Sequence, residues 1–171
     1  MLGQRLKFGG AAGASCDALD DNHLTPYLIG SGDEFLVAKI TVPASISATQ
    51  IVMGKTESGF ASSLFWGIAT NGQVRYAAGG MATTQAGPDL RGQTIVAGIT
   101  CGPAGWRVFA ANDEIASAAL TGSAAGVTPV RIAALNTAGT AGNFFGGNII
   151  RAVGDKDRID LARFRQIASQ L

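Results

Sequence analysis

Residues 64–77, LFWGIATNGQVRYA, constrain this chain more than any other stretch, because Asn71-Gly72 sits between two apolar-rich runs. An Asn-Gly pair flanked in this way is a strong short-range signal for a β-hairpin. A two-residue loop would put Trp66 and Ile68 on the opposite face from Val74 and Tyr76. A three-residue loop, Thr70-Asn71-Gly72 with Gly72 left-handed, puts all four on one face and Arg75 on the other. Burial sets strand register, so the three-residue loop is expected. Residues 106–117, WRVFAANDEIAS, read as a second hairpin. A two-residue loop at Asn112-Asp113 gathers Trp106, Val108, Ala110 and Ile115 on one face and leaves Arg107 and Glu114 on the other.

Other short runs extend the pattern. Residues 6–8 (LKF) read as a first strand, ended by Gly9-Gly10. Further strands are expected over 35–42 (FLVAKITV, stopped by Pro43), 50–55, 94–100, 130–135 and 148–153. Long irregular stretches separate them over 11–32, 78–92 and 136–147. The period then changes: Leu161, Phe164, Ala168 and Leu171 recur at helical spacing, with Arg158, Arg163 and Arg165 largely off that stripe. Asp157 is the expected N-cap. The 171 residues read as one domain, with a core over 35–153, an N-terminal strand and loop over 1–34, and a terminal helix over 157–171. The expected fold is all-β: an antiparallel β-sandwich with a short C-terminal helix.

The order of these segments resembles the laminin-G-like, or concanavalin A-like, jelly-roll family. Leu6-Lys7-Phe8-Gly9-Gly10 is similar to its opening strand and glycine turn, and 35–43 to its next core strand. The closest stretch is 50–76, QIVMGK…GFASSLFWGIATNGQVRY. Residues 106–117 resemble the family's V-x-hydrophobic-x-V-D-G-x-x-hydrophobic-A-S hairpin. VRIAAL…FFGGNIIRAV, within 129–153, resembles its P-L-x-I-G and F-x-G-x-I segments. The resemblance implies a jelly roll, and some members hold calcium at a rim. Here Ile150 and Arg151 stand where the family commonly has Asp-Glu, and Gly9-Gly10 replace acidic residues near the first strand.

Charge narrows the function. Thirteen basic and twelve acidic residues nearly cancel, so no global field draws the chain to nucleic acid or an anionic membrane. Charged residues are 15% of the chain, against a usual share of about 25%, which suits a protein held in an assembly. No run approaches a membrane span, and residues 1–15 lack the continuous apolar stretch of a secretory signal, so cytoplasmic synthesis is expected. Cys16 and Cys101 read as two separate thiols, a single long-range disulfide being the alternative.

Candidate chemistry is sparse. A glycoside hydrolase needs two carboxylates facing each other across a sugar. No expected strand carries such a pair, since Asp113 and Glu114 fall at a turn and Glu57 is alone. The lone His23 reads as a solvated loop residue and Cys101 as structural rather than nucleophilic. Asp17, Asp20, Asp21, Asp33 and Glu34 are the oxygen ligands available to calcium, without the spacing of a calcium loop. Glycan binding needs exposed aromatics beside Asn, Asp or Arg. Trp66, Tyr76 and Trp106 are assigned to the core by the register above, which leaves Phe144 and Phe145 as the aromatic pair that could face outward as a contact patch, folding over the sandwich edge being the commoner arrangement.

The composition and stand-alone fold resemble bacteriophage virion proteins, so a non-enzymatic structural or adhesive subunit of a virion is expected. It would contact other assembly subunits, including copies of itself, with no cofactor. Candidate contact residues are Leu161, Phe164 and Leu171 on the terminal helix and Phe144 and Phe145 in the last loop, although such a helix commonly packs on its own domain. The alternative is a lectin-like module that binds surface glycan, with or without calcium.

Overall fold

The computed structural model describes residues 16–17, 33–56, 63–80, 83–121, 130–137, 140–155 and 157–171. They form two packed sheets and one helix. The larger sheet has eight strands. Its main path runs β1 (Cys16–Asp17), β10 (Arg131–Ile132), β3 (Gln50–Thr56), β4 (Ser63–Ile68), β5 (Val74–Gly79) and β6 (Thr84–Ala86). The short hairpin of β11 (Leu135–Thr137) and β12 (Thr140–Gly142) joins it through a parallel pairing of β11 with β3. All other described pairings are antiparallel. The five-stranded sheet runs β13 (Asn148–Asp155), β2 (Glu34–Thr41), β7 (Thr94–Gly102), β8 (Gly105–Ala110) and β9 (Asp113–Ala118). Helix α1 (Leu161–Gln170) follows.

Alternation along each strand builds the core. Leu36, Ala38 and Ile40 of β2 face Trp66, Ile68, Val74 and Tyr76 of the larger sheet in one cluster. Tyr76 and Trp106 meet across the two sheets with ring centroids 5.3 Å apart. The hairpin at Asn71-Gly72 has the expected loop: Ala69 N donates to Gln73 O at 2.9 Å, closing three residues, and Gly72 has φ +84°. A left-handed backbone at that position favours glycine.

The second hairpin differs. Its two loop residues are Ala111 and Asn112, with φ 50° and 72°, and not Asn112-Asp113. A bulge between Val108 and Phe109 takes up the one-residue shift. The two differences cancel, so Trp106, Val108 and Ala110 are in the core, Ile115 packs on it, and Arg107 and Glu114 face outward together.

Three expected loops contain paired backbone: β1 within 11–32, β6 within 78–92, and all of the β11–β12 hairpin but Leu135 within 136–147. The expected strand over 130–135 is broken, because Ala133 is left-handed at φ 64° and β10 ends before it. Ala133 N instead donates to Val52 O, and its carbonyl accepts from Phe145 N.

The helix packs on its own domain. Phe35, Val37 and Phe109 on the outward face of the five-stranded sheet join Ile159, Phe164 and Ile167 in a second apolar cluster. Phe109 and Phe164 stack at 4.8 Å. The N-cap is Asp160 and not Asp157, its side chain accepting from Arg163 N at 2.8 Å. Ile159 before the cap and Phe164 in the first turn are both buried in that cluster, the arrangement of a hydrophobic staple.

Candidate functional site

The outward face of the larger sheet carries a row of polar groups fixed by register. Ile51 pairs with Gly67, Gly67 with Arg75, and Arg75 with Gln85. On the far side of β3, Ile51 N donates to the Asn143 carbonyl at 2.7 Å, which brings Asn143 and Phe144 to the end of this row. Gly67 can carry no side chain, since a Cβ there would collide with the Gln50 carbonyl oxygen and the Ile51 Cα. Ile51 and Gly67 in this row are buried, and Ile51 joins Phe65, Ala77 and Leu135 in a small buried apolar cluster, while Arg75 and Phe144 are half-buried and Gln85 and Asn143 are exposed. No hydrogen bond or ion pair ties the Arg75 side chain to another described residue. Arg131 projects from the same face through the row Arg131, Gly54, Phe65, Ala77. Three inter-strand steps, roughly 14 Å, separate its strand from that of Arg75.

The outward face of the other sheet holds a second cationic site, between β8 and the start of α1. A cavity of about 240 Å3 is lined by Arg107, Arg158, Ile159, Asp160 and Arg163. Arg107 Nη1 donates to Glu114 Oε2 at 2.8 Å, Arg158 Nη2 to the Ala104 carbonyl at 3.2 Å, and Arg163 Nη1 to Gln166 Oε1 at 2.6 Å. Arg158 Nε is buried and has no partner among the described residues.

Between the sheets lie three ionisable groups. Glu34 and Lys55 are both fully buried. Glu34 lies opposite Cys101 on the inner face of the five-stranded sheet, and Lys55 opposite Leu64 on the inner face of the larger one. Burial holds the Glu34 carboxyl well above the ordinary glutamate value, and the Lys55 charge offsets this only in part. Neither carboxylate oxygen of Glu34 has a partner among the described residues. Burial, then the Glu34 charge, pushes the Cys101 thiol up to about 12. That is the reverse of what a nucleophile needs. Cys101 is a free thiol, buried in the core cluster.

The residues singled out in the sequence are dispersed. Trp66, Tyr76 and Trp106 are in the core, as their register implied. Two candidate contact residues are corrected: Phe164 is fully buried against Phe109, and Phe145 is buried beneath the sheet edge in the inter-sheet cluster. Both are drawn inward by apolar surface within the domain and offer none to a partner. Leu161 and Leu171 are half-buried against the helix cluster, which leaves Phe144 as the outward member of its pair. Of the calcium candidates, Asp33 is exposed while its neighbour Glu34 turns into the core. Among the described residues no group of three or more His, Cys, Asp or Glu side chains could hold a metal ion. Asp20, Asp21, His23, Glu57 and the strand expected over 6–8 lie outside the described residues. Sequence reading missed Arg75, Gln85 and Asn143 as one row. The Arg75 side of the hairpin was legible, but β6 was not, and Asn143 reaches the row only through β3.

The architecture and the two faces define a β-sandwich jelly-roll module without a described catalytic pair. No protein-family model and no curated protein sequence matches the chain. Solved structures do match its shape. One is a Ruminococcus gnavus IT-sialidase CBM40 bound to alpha2,3 sialyllactose, with TM-score 0.68 and 16% identity, covering 97% of this chain and 96% of that one. Another is a NanB structure with Optactamide, with TM-score 0.69 and 13% identity, in which the match covers 96% of this chain but 27% of that one. A Trypanosoma rangeli sialidase mutant displaying trans-sialidase activity matches with TM-score 0.63 and 16% identity, over 81% of this chain and 23% of that one. At these identities the likeness establishes the fold, a β-sandwich shared with CBM40 modules.

Proposed function

We propose that this chain is a non-catalytic, lectin-like module that binds an acidic glycan on the outward face of its larger sheet. The observation that carries this reading is the placement of Arg75, Gln85, Asn143 and Phe144 along one row of the larger sheet. A sugar site needs an apolar surface to lie on, amide groups for hydroxyls and, for an acidic sugar, a cation. Phe144, the Gln85 and Asn143 amides and the Arg75 guanidinium supply these in turn. The CBM40 structures described with sialyllactose make sialylated glycans the first ligands to try. No described cluster of calcium ligands accompanies the row, so binding is expected to survive a chelator. The virion role expected from composition finds no specific support among the described residues.

A glycan array probed with the intact chain, with and without EDTA, tests the proposal. The expected result is chelator-resistant binding to acidic glycans and none to their neutral parents. Uniform silence, or equal binding to neutral sugars, contradicts it.

A further inference from the structure

We infer that the cavity between β8 and the start of α1 binds an oxyanion of the sulfate or phosphate type. The site is separate from the proposed glycan row, which lies on the opposite outward face of the sandwich. The argument begins with charge. Arg107, Arg158 and Arg163 line the cavity, and each brings a positive charge. Asp160 is the one carboxylate among the lining residues and accepts the Arg163 backbone N–H as helix cap, and Glu114 accepts from Arg107. The lining is left with a positive excess.

Donor supply gives the second argument. Each guanidinium has several N–H groups and directs one described side-chain hydrogen bond to the protein. The terminal N–H groups not used in these bonds are the donors an oxyanion can take. Guanidinium forks match phosphate and sulfate oxygens in pairs, which an ammonium cannot do.

The walls are also fixed. Ile159 N donates to Thr100 Oγ1 at 3.2 Å, Arg158 is tied to the turn after β7, and Phe164 stacks on Phe109, two residues beyond Arg107 on β8. The cavity, about 240 Å3, is several times the ~30 Å3 share of a water molecule. It has room for the oxyanion and part of a molecule that bears it.

The test is a titration of the full chain with sodium sulfate and, separately, inorganic phosphate. Ionic strength is held constant with sodium chloride, and the arginine side-chain Nε–Hε signals are followed by NMR. Saturable shifts at Arg107, Arg158 and Arg163 are expected. Arg163→Gln, at an exposed helix position, should weaken binding about tenfold, the loss of one charge-assisted contact. Arg91→Gln removes an equal charge from a distant turn and should leave the affinity unchanged, which separates a site from a general charge effect. Galactose 6-sulfate against galactose then distinguishes a sulfated sugar from the free anion as the source. Shifts that grow linearly without saturation, or equal losses in Arg163→Gln and Arg91→Gln, overturn the inference.

Discussion

Glu34 is the residue whose environment departs most from its chemistry. A carboxyl between two sheets, with no described hydrogen-bond partner, favours its neutral form. Its contribution to stability is complete below the ordinary glutamate range and is lost as pH rises toward the raised folded value. Glu34→Gln keeps the shape and removes the titration. Thermal unfolding from pH 4 to pH 8 should therefore show the variant gaining on the native chain as pH rises. A variant that loses ground with pH would mean that the ionised carboxylate and Lys55 hold each other in place. Sequence gave no warning here, because Glu34 reads as a surface acid beside Asp33 until pairing with β7 turns it inward.

At the scale of elements, the helix is a cover for the five-stranded sheet. Phe164 fills the space above Phe109, so Phe164→Ala should lower stability by about 3–5 kcal/mol in denaturant unfolding. Asp160→Ala removes the cap and should cost about 1 kcal/mol, whereas Asp157→Ala should be silent. Equal effects of the two would contradict the cap assignment. The helix and its stripe were legible because apolar spacing survives without a structure. The cap was misplaced because two aspartates precede the stripe, and the staple between Ile159 and Phe164 decides between them. The first hairpin was legible to the residue, since Gly72 and four apolar side chains admit one register. In the second, the loop position was wrong and the faces right, because a bulge is invisible in an alternating pattern until its partner strand is known. The short strands β1, β6, β10 and β12 have two or three residues each, too few for any periodicity to register.

For the whole molecule, the sandwich presents two outward faces with different chemistry: a row with Arg75, Gln85 and Asn143 on one, and a helix flanked by arginines on the other. The sandwich was readable in the sequence, because alternation and turn residues repeat along its length. The candidate site was not, because its members come from β5, β6 and the segment before β13, and only the sheet order brings them into line. Deleting α1 would expose Phe35, Val37 and Phe109 together. The truncated chain should aggregate in light scattering rather than yield a clean monomer; a soluble monomer would mean that the helix is dispensable to the fold. The central claim concerns the Arg75 row, and titration calorimetry with 3′-sialyllactose tests it most directly. The native chain should bind saturably and Arg75→Ala should lose at least about tenfold in affinity with unchanged unfolding temperature. Undiminished binding by a folded Arg75→Ala, or no binding by the native chain, would contradict the account.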